Sequence, residues 1–373
     1  MKNFIINMLN TKENRAITYA DYISSALYTP GKGYYMNEKQ KIGKGGDFYT
    51  VSNLSDVFGR SLARWFVHLM KDGHLPPAIY EIGGGNGRLA EAVLSHIKRI
   101  DPEIYHILIY HMIETSPYHQ MLQKERLKEH PKSVFFSGLD QIESISGIIF
   151  SNELFDAFPV HVIESQEGQI FEVMITCQDG ELIEDLAPLK NEDIMAYLKY
   201  QNVKLKNGQR YEVPLQMVSY LKEMAGKLDR GVLITFDYGY TNDEWQHPIH
   251  KAGSLRGYYK HQLIDNVLQN PGEMDITTHI HFDALIKYGT AFGLKNEGLM
   301  EQNQFLLKTG ILNELKEHYD PDPFSETSKR NRAIRSLIMP GGISSHFRTL
   351  IQAKNISDSI GLFSDELNAP FTI

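Results

Sequence analysis

The stretch Tyr80-Glu81-Ile82-Gly83-Gly84-Gly85-Asn86-Gly87-Arg88-Leu89 constrains this chain more than any other. Residues 78–82 form an apolar run that reads as a strand. Residues 88–99 carry Leu89, Val93, Leu94 and Ile97 on one helical face. A strand that enters a helix through glycines leaves its backbone open to a ligand, because no Cβ stands in the way. Spacing narrows the ligand. A dinucleotide fingerprint, Gly-x-Gly-x-x-Gly, counted from Gly83 requires glycine at position 88, which holds Arg88. The pattern present is Glu-x-Gly-x-Gly-x-Gly, with glycines at 83, 85 and 87. A nicotinamide dehydrogenase is therefore disfavoured.

Further apolar runs at 107–114, 147–152 and 231–237 read as strands separated by helices. Nearly continuous apolar strands alternating with helices predict a parallel sheet covered on both faces, an α/β fold. Residues 54–71 predict an amphipathic helix with Leu54, Val57, Phe58, Leu62, Trp65, Phe66 and Leu69 as its stripe. Thr18 followed by Asp21 has the form of a capping box for a helix over 18–28, halted at Pro30-Gly31. Residues 160–176 predict a hairpin turning at Glu167-Gly168. The expected organisation is an N-terminal helical and loop segment over 1–75 that closes over the site. The first half of the core follows over 76–160, then an insertion on the substrate side over 161–227. The second half, 228–373, carries a long loop over 241–282 whose 241–272 part is rich in His, Gly and Tyr.

A chain of 373 residues with 42% apolar content can bury a substantial core. Its formal net charge of −8 argues against gripping nucleic acid through general basicity. Cys177 is the only cysteine, which excludes an internal disulfide and a cysteine-rich metal site. No run approaches the roughly 18 apolar residues of a membrane span. Residues 1–9 are apolar but short, and polar residues 10–14 follow without a cleavage site, so a helix is expected there rather than a signal peptide. Composition thus predicts a soluble cytoplasmic protein. His247, His250, His261, His279 and His281 lack a neighbouring acid or thiol cluster, and no metal is expected.

The Glu-x-Gly-x-Gly-x-Gly pattern resembles the first motif of class I methyltransferases, which bind S-adenosylmethionine. In an open parallel sheet the ligand sits beyond the carboxyl ends of the strands, and three such ends here carry suitable chemistry. The glycine loop can face the methionine part. Glu114, ending the next strand, can accept both ribose hydroxyls. In Ser137-Gly138-Leu139-Asp140, Asp140 can bind the adenine amino group and Leu139 can pack on the ring. After the third strand come Asn152, Glu153 and Asp156, a carbonyl and two carboxylates within five residues. If a helix begins there, Glu153 and Asp156 share a face at i and i+3. Singly, these acids also suit helix caps.

Over nearly its full length the chain resembles the MidA family of S-adenosylmethionine-dependent methyltransferases, related to the mitochondrial complex I assembly factor that methylates a protein arginine. The matching blocks are residues 29–35, 45–50 with Phe58-Gly59, 81–87, 151–160, Phe236-Asp237-Tyr238-Gly239, 254–261, 275–282 and 304–307. The resemblance implies a Rossmann-like core with an N-terminal helical segment and substrate-side insertions. It places Glu81, Gly83, Gly85, Gly87, Glu114, Leu139, Asp140 and Asn152 on the cofactor. It makes Asn152, Glu153 and Asp156 catalytic, and sets Asp47, Thr50, Asp237, Tyr238, Gly239 and Arg256 on the substrate side. Asn53 and His281 stand where the family commonly has acids, and both positions are expected to face the substrate. The expected activity is in-line methyl transfer to a protein side chain, arginine among the candidates. The alternatives are a small-molecule methyltransferase and a cofactor-binding assembly factor with little catalysis.

Overall fold

The computed structural model describes residues 1–38, 56–316, 322, 325–339, 341, 346–357 and 361–363. Asp47, Thr50 and Asn53 lie outside them. The chain forms two compact units. One comprises residues 1–48, 154–224 and 238–292; the other comprises 49–153, 225–237 and 293–373.

The second of these units carries the strands β1 (Ala78–Ile82), β2 (Ile109–Ile113), β3 (Val134–Ser137), β4 (Ile145–Asn152), β5 (Leu228–Tyr240, as far as Asp237), β6 (Lys295–Glu301) and β7 (Phe347–Lys354). The order across the sheet is β6-β7-β5-β4-β1-β2-β3. The pairs β5/β4, β4/β1, β1/β2 and β2/β3 are parallel, and β6/β7 is antiparallel. Strand order reverses between β1 and β4, so the crevice beyond their carboxyl ends is the ligand position of such sheets. The residues there are those of the glycine loop and Asn152.

Every residue of β1 is buried, as expected for a strand covered on both faces. Helix Asp56–Met70 buries Val57, Phe58, Leu62, Trp65, Phe66 and Leu69. Phe58 meets Phe236 edge-on at 5.4 Å, and Phe66 lies 5.3 Å from Phe150, which seats the helix on β4 and β5. Helix Arg88–Ile100 buries Leu89, Val93, Leu94 and Ile97. The two helices approach closely because Gly59 has no side chain; a Cβ there would stand 2.6 Å from that of Ala92. The second strand begins later than its apolar run, because Asp101 caps a helix over Pro102–Ile107.

Gly147 and Gly231 face each other across β4 and β5 at φ of 140° and 151°. A Cβ on Gly231 would lie 1.8 Å from the Gly147 carbonyl oxygen. Gly231→Ala is expected to destabilise this unit by about 3 kcal/mol or more through collision and backbone strain. Gly226, in helix Leu215–Lys227, has open space around it, and Gly226→Ala should stabilise by about 0.5–1 kcal/mol. Denaturant midpoints of the two variants check the contrast.

The other unit is built on antiparallel strands. Gln169–Gln178 pairs with His161–Gln166, Glu181–Pro188 and the short Ile17–Thr18, and His161–Gln166 also pairs with Arg210–Val213. The hairpin turn has Glu167 at φ 49° and Gly168 at φ 81°, the left-handed pair that matches strand twist. Asp179-Gly180 repeats it one strand later. Thr18 accepts from the Asp21 N–H, and the Asp21 carboxylate receives the Thr18 N–H, so the capping box forms and starts helix Tyr19–Tyr28. The expected long loop over 241–282 is not one loop. Its strands Arg256–Tyr259, Gln262–Ile264 and Asp275–Thr277 form a small antiparallel sheet. His and Tyr content hid the period-2 pattern of these three short strands.

Candidate active site

The glycine loop turns tightly because three of its residues are left-handed: Gly83 at φ 70°, Gly85 at 51° and Gly87 at 75°. The Gly83 N–H donates to the Ile113 carbonyl at 2.9 Å, tying the loop to the end of β2. Two side chains that the sequence did not single out hold its outer side. Gln123 Nε2 donates to the Gly85 carbonyl at 2.8 Å, and Arg126 Nε donates to the Asn86 carbonyl at 3.0 Å. Both belong to helix Pro117–Arg126, and no local pattern marks them. A Cβ on Gly87 would press on Gln123 at 3.2 Å, so loop and brace fit only with glycine there.

Glu81 is buried on β1 and receives the Tyr110 hydroxyl on Oε2 at 2.6 Å. Burial pushes its carboxyl up to about 7, the Tyr110 hydrogen bond opposing and the charge of Glu114 adding to the rise. A Cβ on Gly84 would lie 3.1 Å from the same carboxylate, so bare backbone lies against the acid. Glu114, just past β2, accepts from the Ser116 N–H at 2.8 Å, and its carbonyl accepts from Gln120 Nε2 at 2.6 Å. Leu139 is buried, whereas Asp140 is exposed. The Asp140 carboxylate bends over Gly138, where a Cβ would stand 2.2 Å from Oδ1.

At the end of β4, Asn152 Nδ2 donates to Glu153 Oε1 at 3.1 Å, while Asn152 Oδ1 is buried with no hydrogen-bond partner among the described residues. Glu153 is left-handed at φ 51°, and its N–H donates to the Phe236 carbonyl at 2.9 Å. A left-handed carboxylic residue costs about 1 kcal/mol and aims its side chain away from the strand path. This corrects the helical expectation for 153–156. The turn that follows is a short 3₁₀ segment over Phe155–Ala157, so Glu153 and Asp156 do not share an α-helical face.

In the unit that contains it, Asp156 is buried, and the Tyr238 hydroxyl donates to its Oδ2. Burial pushes the Asp156 carboxyl above its usual range, partly offset by that hydrogen bond. The Asp156 carbonyl accepts from the Thr278 N–H at 2.8 Å, and the neighbouring Ala157 carbonyl accepts from the Tyr28 hydroxyl at 2.9 Å. Tyr28 stacks on Tyr35 at 5.6 Å, and the Tyr35 hydroxyl donates to Asp275 at 2.8 Å. Tyr238 meets His279 edge-on at 5.1 Å. Two buried carboxylates, Asp156 and Asp275, thus sit among three tyrosines within one unit. Sequence reasoning missed Tyr28, Tyr35 and Asp275 as site residues, although Tyr35 and Asp275 lie within blocks it had marked.

The other residues expected on the substrate side have different surroundings. Asp237 is wholly buried in β5. Gly239 is explained by packing, because a Cβ there would lie 2.1 Å from the Ile280 carbonyl oxygen of the short parallel strand Ile280–His281. Arg256 turns its Nε to the Ser254 carbonyl at 3.0 Å. His281 corrects the expectation that it faces substrate. It is buried against Trp245 at 4.8 Å, with Nδ1 hydrogen-bonded to the Tyr211 hydroxyl at 2.9 Å, and burial pushes its pKa down to about 3. It is a neutral core histidine, and an unpaired acid in its place would be costly.

The donors and acceptors along the crevice fit S-adenosylmethionine. Glu81 is a buried acid that receives the neutral Tyr110 hydroxyl, suited to a cationic group, and Asn152 Oδ1 is an acceptor without a partner among the described residues. Glu114 keeps a carboxylate just past β2, and left-handed glycines expose the backbone. When bound, the cofactor supplies a methyl group on a sulfonium, activated for in-line displacement.

A family model of S-adenosyl-L-methionine-dependent methyltransferases matches residues 61–300. The protein arginine methyltransferase NDUFAF7 of Xenopus tropicalis, a mitochondrial protein, is 26% identical over 341 residues, 83% of this chain and 76% of that one. The Drosophila melanogaster homologue is 25% identical over 294 residues, and the match spans 71% of this chain and 65% of the fly protein. A Burkholderia thailandensis crystal structure with bound S-adenosyl-homocysteine superposes with a TM-score of 0.85 at 26% identity, covering 95% of this chain and 93% of that one. Among the described residues no helix is long and apolar enough to cross a membrane. Glycine loop, strand order, family match and the superposed product-bound structure agree: this chain belongs to the MidA family of S-adenosylmethionine-dependent methyltransferases.

Proposed function

We propose that the chain methylates an arginine side chain of a protein, with Asn152, Glu153 and Asp156 as its catalytic residues. The cofactor would be held by Glu81, Gly83, Gly85, Gly87, Glu114, Leu139, Asp140 and Asn152. The observation that carries the reading is the buried Asp156 carboxylate, set with Asp275 among Tyr28, Tyr35 and Tyr238. Carboxylates pair with a guanidinium bidentately and aromatic faces stack on it, so such a cluster favours arginine over a neutral acceptor. The names of the animal relatives support the same acceptor. Tyr238 and Arg256 would complete the substrate side.

A guanidinium is fully protonated at neutral pH, and its nitrogen attacks only as a proton leaves. Asp156, whose carboxyl burial makes more basic than an exposed one, takes that proton as the acceptor nitrogen gains the methyl group. Glu153 holds the guanidinium in line, which is the larger part of the task, because reacting atoms must be kept at roughly 3–3.5 Å. The compartment is proposed as cytoplasmic from composition; the animal relatives are named as mitochondrial, and cell fractionation decides between the two.

The test is to incubate the purified protein and labelled cofactor with extract from cells lacking the protein, then hydrolyse the labelled material. Methylarginine in a discrete protein band is the expected product. Label on lysine, on glutamine or in the small-molecule fraction overturns the arginine reading.

A further inference from the structure

Apart from the crevice, the same unit as the glycine loop gathers positive charge at one place. Helix Asp56–Met70 brings Arg60 and Arg64, helix Arg88–Ile100 brings His96 and Arg99, and helix Glu326–Ile338 brings Arg330. One carboxylate serves three of these arginines. Glu314, buried, pairs with Arg64 on Oε1 and with Arg330 on Oε2, and Arg60 stands 3.8 Å from Oε2. Among the described residues, four guanidinium groups against one carboxylate leave three positive charges in excess. The four arginines repel one another: burial and the neighbouring arginines together pull Arg64 down to about 10, and His96 to about 3.

The hydrogen-bond account is lopsided in the same direction. Arg64 donates from Nη2 to the Gly310 carbonyl at 3.3 Å, but its Nε is buried without an acceptor among the described residues, as is Arg330 Nε. Arg99 Nη2 lies 3.2 Å from His96 Nδ1. A guanidinium only donates, so Nδ1 accepts and the His96 proton sits on Nε2. That Nε2 is also buried and has no partner among the described residues. All three unsatisfied groups are therefore N–H donors. Arg64 is 6% exposed and His96 4%, so bulk water does not offset the deficit. The cluster opens to solvent through Arg60, Arg330 and the exposed Arg99.

We propose that Arg60, Arg64, Arg99 and Arg330, with His96 Nε2, form an anion-binding site for a phosphate-bearing small molecule. Guanidinium forks match tetrahedral oxyanions. An excess of three charges suits a multiply charged phosphoryl group better than a single carboxylate. A nucleic acid is the wrong occupant, because the chain as a whole carries a net charge of −8 and would repel an extended polyanion.

The experiment is calorimetric titration of the full-length protein with inorganic phosphate and with pyrophosphate in low-salt buffer, with S-adenosylmethionine titrated in parallel. The variant is Arg60→Ala/Arg99→Ala, which leaves the buried Arg64–Glu314–Arg330 pairing in place. Wild type is expected to bind at least one of the two anions saturably. The double variant should bind about 100-fold more weakly, roughly tenfold for each charge-assisted contact removed, with cofactor binding unchanged. Tighter binding of pyrophosphate assigns the site to diphosphate-bearing molecules, and equal binding assigns it to monophosphates. No saturable binding by wild type, or unchanged affinity in a double variant that still binds cofactor, overturns the proposal.

Discussion

Asp156→Asn is expected to lower methyl transfer by about 10²- to 10³-fold while leaving S-adenosylmethionine affinity within about twofold. The substitution preserves shape and still accepts the Tyr238 hydrogen bond, but it removes the basic oxygen that would take the acceptor's proton. Tyr238→Phe separates a proton-transfer role from a packing role. The Tyr238 hydrogen bond opposes the rise that burial imposes on Asp156. Without it the carboxyl titrates higher still, so the acid limb of the pH–activity profile should move to higher pH, with the plateau reduced less than in Asp156→Asn. Single-turnover rates across pH 5–9 check this. Full activity in Asp156→Asn would remove the residue from the chemistry, whereas biological function that survives loss of methyl transfer would strengthen the scaffold alternative.

The second large effect is expected at Glu81. Its carboxyl, pushed up to about 7 by burial, lies above the ordinary value of 4.5. In the folded protein without ligand the protonated form is therefore favoured below about pH 7. Glu81 contributes most to stability below about pH 4.5, and that contribution is lost as pH rises through about 7. A cationic ligand reverses the preference, because it needs the carboxylate. Cofactor affinity should accordingly be flat above pH 7 and weaken roughly tenfold per unit below it, as binding must first expel a proton. Glu81→Gln should bind about 100-fold more weakly near pH 8, the loss typical of one partner in a buried charge pair, and should lose the pH slope. Calorimetry at pH 6, 7 and 8 measures both effects. A wild-type affinity independent of pH would mean that Glu81 does not meet the cationic part of the cofactor.

Much of the fold was legible because its determinants are local. A left-handed backbone selects glycine at 83, 85 and 87 whatever surrounds it. The Thr18–Asp21 capping box and the Glu167-Gly168 turn close within four residues, and the apolar runs of β1, β4 and β5 carry their own burial signal. What the local pattern could not carry was any pairing between distant segments. Gln123 reaches Gly85 across 38 residues, and Tyr35 reaches Asp275 across 240. The short strand Val134–Ser137, half-exposed, lacked the apolar run that marked the buried ones.

By itself the sequence determined the glycine turn, the α/β alternation and the family, since each rests on residue type and near-neighbour spacing. Only the tertiary structure decided how the marked residues are used. It buried His281 as a neutral core ring and assigned Gly239 to strand packing. It placed Glu153 in a left-handed turn and brought three arginines around Glu314 from two helices. The physical reason is that burial, charge repulsion and hydrogen-bond satisfaction belong to neighbours in space. Those neighbours exist only once the chain has folded.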